Sequence, residues 1–192
     1  MNQDFIKFLS NFEMLTQEEI EIIAKDTHVK EFKKGVILLT EGAICRECYS
    51  VIKGCVREYI LKDGEEKTTA FFTEGDAIAS FTSAKNNLPS KHYLVCVEDS
   101  LLTVSNQDLE RKMCEKIPRL ESIIRLEVEK HAGKEHDHIT AFISSSTEER
   151  YLDLQEKRPD LFNRIPQHQI ASYLGIKPES LSRIKKRLIT KK

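Results

Sequence analysis

Between residues 28 and 105 the chain alternates short apolar runs with glycine-centred polar turns. Glycines fall at positions 35, 42, 54, 64 and 75, and apolar runs such as 36–39 and 49–52 lie between them. Asp63-Gly64 separates two such runs, which is a strong hairpin signal because both residue types tolerate positive φ. Short strands with a turn every 7 to 12 residues are typical of an antiparallel sandwich or barrel. We predict its last strand at 92–104.

The segments on either side of this region have helical spacing. Thr16–Glu19 is a capping box, and it predicts a short helix over about 16–26. Polar residues at 105–108 cap a second short helix. Apolar residues recur at three- and four-residue intervals through 118–143, which predicts one long amphipathic helix. A serine-rich break then precedes a further helix over 148–157, before Pro159 begins a turn.

The long predicted helix is more extended than one small domain can cover. A helix of about 26 residues spans roughly 39 Å, whereas residues 1–115 form only a modest core. A second copy of the same helix is therefore one candidate partner, and packing along its own barrel is the alternative. The polar middle contains His131, His136 and His138. These histidines fit either a metal-binding or pH-sensitive seam between two copies, or simply its hydrated centre.

The closing segment, 167–186, has the spacing of two short helices that cross steeply over a tight turn. Ala171 permits close approach of the second helix, Gly175 supplies a left-handed residue, and Pro178 suits the first position of the second helix. The aliphatic positions beneath them are Ile170, Leu174, Ile176, Leu181 and Ile184. Together these residues predict a helix-turn-helix, a motif whose second helix enters the major groove of DNA.

Charge is segregated along the chain. The 192 residues carry a net charge of −1. From 164 to 192 there are eight Lys or Arg against one acid, Glu179, so this tail carries +7 and the other residues −8. This imbalance indicates an anionic partner for the C-terminal end, with a solvated basic tail as the alternative. Combined with the helix-turn-helix pattern, it predicts double-stranded DNA as the partner.

The outward face of the second predicted helix carries the residues that we expect to contact DNA. Arg183 can donate two hydrogen bonds to guanine N7 and O6, and Glu179 can accept one from a cytosine amino group. Basic residues from Lys186 onward suit phosphates, which position a protein without specifying sequence. The predicted DNA-binding set is Gln167, His168, Lys177, Glu179, Ser180, Ser182, Arg183, Lys186 and Arg187.

With these motifs in place, the sequence resembles the Crp/Fnr family of bacterial transcription regulators over nearly its whole length. The resemblance implies an α+β fold: an antiparallel, jelly-roll-like β-roll of the cyclic nucleotide-binding type, a long dimerisation helix, and a C-terminal all-α helix-turn-helix domain lacking a full wing. We expect the β-roll sensor at 1–115, the dimerisation helix at 116–143 and the DNA-binding domain at 147–192. The matching stretches are Leu39–Ala43, Tyr49–Gly54, Phe72–Asp76 and Ile170–Arg183.

The resemblance also implies a mode of action. It predicts a homodimer, joined through 116–143, on a near-palindromic operator with recognition helices about 34 Å apart, and RNA polymerase is a candidate partner. Glu179 and Arg183 match base-reading positions of the family, but Pro178 stands where an arginine often sits. Many members add a β-hairpin wing, and basic residues from Lys185 onward are hypothesised to replace some of its phosphate contacts. A sensor module of this type without DNA-binding activity is the alternative.

The predicted ligand pocket departs from the family pattern that holds a cyclic nucleotide. In such members a glutamate in Phe-Gly-Glu-Leu holds the ribose, and an arginine in a later Arg-Ser or Arg-Thr pair neutralises the phosphate. Here Ala79-Ser80 replaces Gly-Glu, and Lys91-His92 replaces Arg-Ser. Lysine offers only a point charge in place of the guanidinium fork. We therefore expect no response to cyclic AMP, and another small-molecule effector, not identified, or an empty pocket are the alternatives.

Other chemistries find little support in the residues. Cys45-Arg-Glu-Cys48 is a single C-x-x-C pair, whereas a structural zinc site needs four ligands. A cupin-type metal enzyme needs paired histidines inside the barrel, and only His28 and His92 fall between 28 and 105. We therefore expect no enzyme, no catalytic residue, no metal site and no cofactor. The odd count of five cysteines and the absence of an apolar or signal-like stretch predict a cytoplasmic location.

Overall fold

The computed structural model describes residues 3–10, 14–78, 83 and 86–190. The chain divides into two compact units. One unit comprises Met1–Glu58 and Phe71–Val128, and the other comprises Tyr59–Ala70 and Glu129–Lys192. The three-part division expected from the sequence stays a prediction. The grouping of Tyr59–Ala70, the middle of a β-hairpin, with the C-terminal helices was not foreseen.

The strands form two four-stranded sheets, ordered β1-β8-β3-β6 and β2-β7-β4-β5. Their bounds are β1 His28–Phe32, β2 Ile37–Leu39, β3 Cys48–Lys53, β4 Val56–Lys62, β5 Glu65–Phe72, β6 Ala77–Ile78, β7 Tyr93–Cys96 and β8 Ser100–Ser105. β8 pairs antiparallel with β1, where His28 lies opposite Val104, and with β3. The predicted antiparallel β-roll is confirmed.

The single strand predicted at 92–104 was wrong. Two strands, β7 and β8, occupy this stretch, and each joins a different sheet. The break between them is polar: the Asp99 carboxylate accepts a hydrogen bond from the Lys34 backbone N–H at 2.9 Å and pairs with the Lys33 ammonium at 2.8 Å. Apolar residues on both sides of the break concealed it in the sequence.

The core of the β-roll is built from inward-facing residues of both sheets. Val51, Val56, Ile78, Leu94 and Leu102 are all at most 2% exposed. Burying each such side chain contributes about 1.5–3 kcal/mol. At Gly54, φ is +106° and an added Cβ would lie 2.4 Å from the Ser100 Oγ atom, so the β3–β4 turn can pass β8 only without a side chain.

Helices precede and follow the strands along the chain. Their bounds are α1 Gln3–Ser10, α2 Gln17–Asp26, α3 Gln107–Lys116, α4 Leu120–Ser144, α5 Thr147–Lys157, α6 Leu161–Arg164, α7 Gln167–Tyr173 and α8 Pro178–Thr190. The predicted capping box before α2 is formed, and Ser146 with Glu149 makes a second one before α5. None of the described helices is long and apolar enough to cross a lipid bilayer.

The β4–β5 hairpin turns at the predicted position. Asp63 has φ 55° and Gly64 has φ 77°, which is the pair of positive values that a two-residue type I′ turn requires. β5 ends the strand order of its sheet, so it is an edge strand among the described residues. The hairpin therefore has a tight turn, and along one edge of β5 no other described strand pairs with its backbone.

Candidate nucleic-acid interface

The turn between α7 and α8 has the backbone geometry that the sequence predicts. Gly175 has φ +72°. The Ile176 N–H donates to the Ala171 carbonyl at 2.9 Å and the Gly175 N–H donates to the Ser172 carbonyl at 3.0 Å. These two bonds make a Schellman motif, which ends a helix on a left-handed residue. Pro178 opens α8, where its missing N–H leaves no helical bond unmade.

A small apolar core holds the two helices together. Ile170 and Ala171 of α7 are fully buried, and Leu174 of the turn is nearly so. From α8, Leu181 and Ile184 face them at 1% and 6% exposure. The preceding helices complete this core with Tyr151, Leu154, Leu161 and Ile165, all buried. Every aliphatic position that carried the prediction except Ile176, which is half-buried, lies inside this core.

The opposite face of α8 is exposed and mostly basic. Glu179 and Arg183 are exposed and lie four residues apart, so they share one side of the helix. Neither side chain has a hydrogen bond or ion pair within the described part of the chain. Ser182 is also exposed, but its hydroxyl donates to the Pro178 carbonyl at 3.1 Å. Lys177, Lys186 and Arg187 are exposed as well, and Ser180 is half-buried.

Arg187 and Gln167, which belong to the predicted contact residues, are bound by side chains elsewhere in the chain. Arg187 forms an ion pair with Glu148 at the start of α5. Gln167, the first residue of α7, accepts a hydrogen bond from Lys185. His168 beside it is exposed. The structure therefore gives Glu179 and Arg183 as open positions, while Arg187 and Gln167 must exchange partners before they can meet DNA.

Arg150 of α5 supports the turn, and the sequence analysis missed it. Its guanidinium donates to the Leu174 carbonyl at 3.0 Å and lies 4.2 Å from the ring centroid of Phe142. A carbonyl at a helix end has no partner in its own helix, so this charge-assisted bond satisfies it. The two partners are 24 residues apart, and no local pattern could have shown the pairing.

The histidines of α4 do not form a common cluster. The ring of His138 stacks on Tyr173 at 5.9 Å between centroids, and its Nε2 is 2.9 Å from the Tyr173 hydroxyl oxygen. Burial raises the pKa of Tyr173, so this hydroxyl keeps its proton. His131 is half-buried and His136 exposed. Across the described residues, no group of three or more potential metal ligands is present.

The region of the expected ligand pocket contains an unforeseen acid. Ala79 and Ser80 lie outside the described residues. Lys91 is exposed, and His92 is half-buried with its Nδ1 at 4.0 Å from a carboxylate oxygen of Glu58 on β4. A carboxylate near this point opposes a phosphate, since like charges repel. Nothing in the sequence around Glu58 marks it as facing this histidine.

The C-x-x-C pair has no feature of a reactive site. Cys45 is buried, and its thiol lies 3.2 Å from the Glu47 carbonyl oxygen. Burial raises the pKa of Cys48 to about 11, with a smaller contribution from Cys45. A thiol with a pKa this high stays protonated at neutral pH and is a poor nucleophile. All five cysteines are free.

A family model and several solved structures are similar to this chain. The family model of the cyclic nucleotide-binding domain matches residues 29–116. No curated protein matches the chain in sequence. Among solved structures, the c-di-GMP responsive global regulator CLP of Xanthomonas campestris has a TM-score of 0.71 at 16% identity, with 92% of this chain and 93% of that one covered.

Two further solved structures have the same arrangement. FixK2 from Bradyrhizobium japonicum has a TM-score of 0.68 at 18% identity and covers 86% of this chain and 85% of its own. The catabolite activator protein of Thermus thermophilus has a TM-score of 0.57 at 20% identity, with 94% and 86% covered. Residues 29–116 thus form a domain of the cyclic nucleotide-binding type. Over most of its length the chain shares its fold with these three structures, which is the fold that the resemblance carried by its motifs predicts.

Proposed function

We propose that this protein is a dimeric, DNA-binding transcription regulator that does not respond to cyclic AMP. The observation that carries the proposal is the exposed basic face of α8 above a Schellman turn and a packed apolar core. A solvated basic tail would explain the charges but not the close-packed turn beneath them. Such a turn serves to hold the second helix outward from the first, as major-groove recognition requires.

The side chains on α8 divide into two roles. Arg183 and Glu179 are open, adjacent on the helix and able to read a G·C pair, where the arginine meets guanine and the carboxylate meets cytosine. Lys177 and Lys186 flank them and suit phosphates. The remaining members of the proposed interface are Gln167, His168, Ser180, Ser182 and Arg187. Phosphate contacts set affinity, and the two open residues set sequence preference.

The proposed dimer rests on an apolar stripe of α4. Val128, Ile139 and Ile143 are 45%, 55% and 79% exposed, and their spacings of eleven and four place them on one side of a helix. Large exposed apolar residues in a row are typical of a surface that another chain covers. A second copy of α4 supplies a matching stripe by two-fold symmetry, with the recognition helices about 34 Å apart on a near-palindromic site.

The effector side of the proposal rests on the β-roll. The Glu58 carboxylate near His92, with lysine in place of the phosphate-binding arginine, disfavours a cyclic phosphate at this point. The type of domain therefore does not determine which ligand this chain binds. The domain instead senses a small molecule that is not a cyclic nucleotide. A thermal-shift screen can find this molecule, because a ligand that binds the native state raises the melting temperature.

A selection from randomised duplexes tests the proposal directly. The full chain is expected to enrich a near-palindromic sequence with two equal half-sites, and light scattering is expected to give the mass of two chains. Affinity should fall with salt at a log–log slope of about −0.9 for each phosphate neutralised. Enrichment of no sequence, with no salt-dependent binding to any duplex, would instead favour a sensor module without DNA-binding activity.

A further inference from the structure

The β4–β5 hairpin is hydrogen-bonded to the helix-turn-helix through one side chain. The Ser172 hydroxyl on α7 accepts a hydrogen bond from the Thr68 backbone N–H at 2.9 Å and donates one to the Glu66 carbonyl at 3.1 Å. Thr68 is only 6% exposed, although Lys67 and Thr69 on either side are exposed. The contact lies within a single compact unit, Tyr59–Ala70 with Glu129–Lys192.

The geometry of β5 explains how one hydroxyl can bind two backbone groups. In an edge strand, the N–H of one residue and the carbonyl of the residue two positions earlier point to the same side of the backbone. Thr68 and Glu66 are such a pair, and Ser172 binds both groups with one oxygen atom. Water can satisfy the same two groups when the hairpin is released, so the contact is weak enough to open.

Charge adds to this contact at the start of α8. Around its tip the hairpin carries three acids, Asp63, Glu65 and Glu66, against Lys62 and Lys67, so its net charge is −1. Glu65 forms an ion pair with Lys67, which lowers its pKa most, and the positive charge of Lys177 lowers that pKa further. Lys177 is also one of the proposed phosphate contacts. The net negative charge of the hairpin therefore acts on a residue that we propose to contact a DNA phosphate.

We propose that the hairpin Tyr59–Ala70 is an intramolecular clamp that competes with DNA for the helix-turn-helix. Docked on Ser172, its acidic tip neutralises the positive end of α8 and lowers DNA affinity. Released from Ser172, the hairpin takes its negative charge away from Lys177, which can then attract a phosphate more strongly. This inference rests on the proposed DNA-binding function, and its test below separates the two.

The variant Ser172→Ala removes both hydrogen bonds and leaves every proposed DNA contact in place. Amide hydrogen exchange of Thr68, measured by NMR without DNA, is expected to become faster. Affinity for a generic duplex at low salt is expected to rise about 3- to 10-fold, as loss of a hydrogen-bonded competitor implies. Ser144→Ala is the matched control, because the Ser144 hydroxyl bonds only to Thr140 and Ala141 of its own helix; it should change neither quantity.

A charge variant tests the same clamp without touching Ser172. Glu65→Gln removes one negative charge beside Lys177, and we expect DNA affinity to rise about 2- to 3-fold at low salt and to converge with wild type at high salt. Glu156→Gln, an equal charge change on the exposed side of α5, is the control. It should leave the affinity within the range of wild type.

The outcomes separate the two proposals. Faster Thr68 exchange in Ser172→Ala with unchanged or weaker DNA binding would overturn the clamp and leave the DNA-binding function standing. Binding of no duplex by any variant would overturn the proposed function and the competition with it. Unchanged Thr68 exchange in Ser172→Ala would by itself overturn the docking contact. Faster exchange together with tighter binding in both variants supports the clamp.

Discussion

The helix-turn-helix and the β-roll pocket differ in how many of their residues match the pattern expected of this fold. In the first, Ala171, Gly175 and Pro178 all occupy the places that the turn requires, and Glu179 and Arg183 stay open above them. In the second, lysine and serine stand where arginine and glutamate hold a cyclic nucleotide, and Glu58 lies near His92.

This difference teaches that the two ends of a regulator are constrained differently. In a helix-turn-helix the second helix must be held at a fixed angle to the first, so the turn and the small residue beneath it allow few substitutions. A sensor pocket has only to distinguish its own ligand, and a few substitutions change that ligand without disturbing the strands around it. In this chain the residues of the turn agree with the pattern expected of them, whereas the residues of the pocket depart from it.

The largest effect is expected from Ala171→Leu. Ala171 is fully buried between the two helices, and overfilling such a site costs about 1–3 kcal/mol. Urea unfolding of the C-terminal unit should shift to lower concentration, and DNA binding should fall with the folded fraction. Ala77→Leu, at an exposed position of β6, should leave both unchanged. A variant Ala171→Leu as stable as wild type would contradict the inference that the two helices pack closely at Ala171.

A comparable effect, confined to one base pair, is expected from Arg183→Ala. Losing a bidentate contact to guanine should remove about 1–3 kcal/mol of discrimination at one position of each half-site. A repeated duplex selection would show that position becoming degenerate while the others persist. Lys186→Ala is the comparison, since loss of a phosphate contact should weaken all sequences alike. An unchanged preference in Arg183→Ala would contradict the docking of α8 in the major groove.

A smaller effect, with the opposite sign, is expected from Glu148→Gln. Removing the carboxylate frees Arg187 from its ion pair. Affinity for all duplexes should therefore rise, because Arg187 no longer has to give up this partner before it contacts a phosphate. Fluorescence anisotropy measures the affinity for each duplex. The control is again Glu156→Gln. An unaltered affinity would mean that Arg187 does not reach a phosphate.

The smallest effect is expected from cyclic nucleotides on the wild-type chain. A ligand at 100 times its dissociation constant would stabilise the native state by about 2.7 kcal/mol. We expect no change in melting temperature with cyclic AMP or cyclic GMP at millimolar concentration. A clear rise in melting temperature with either nucleotide would show that the pocket binds a cyclic nucleotide. The contrast between the pocket and the helix-turn-helix would then not hold.

Much of the fold followed from local rules. The capping boxes, the type I′ turn at Asp63-Gly64 and the Schellman turn at Gly175 each depend on residues a few positions apart. Such motifs can be recognised in a sequence because they are formed by neighbouring residues of characteristic types. Gly175 lies at the turn and Pro178 begins the second helix, as the sequence predicts.

The features that sequence reasoning missed depend on contacts between distant residues. Arg150 meets the Leu174 carbonyl across 24 residues, and Ser172 meets Thr68 across 104. A serine or an arginine on a polar helix face is ordinary, so neither contact leaves a periodic trace. Helix α1 was missed for a related reason: its eight residues are too few for a clear pattern, and packing of Phe5 and Leu9 on the core stabilises it.

The close approach of Gly54 to Ser100 has a consequence for the evolution of this chain. Any replacement there must overcome both a left-handed backbone and a clash at 2.4 Å. Gly133, inside α4 with open space around it, meets neither barrier, and alanine there should even favour the helix. In a library of random variants selected for folding, position 54 should stay invariant while position 133 drifts freely.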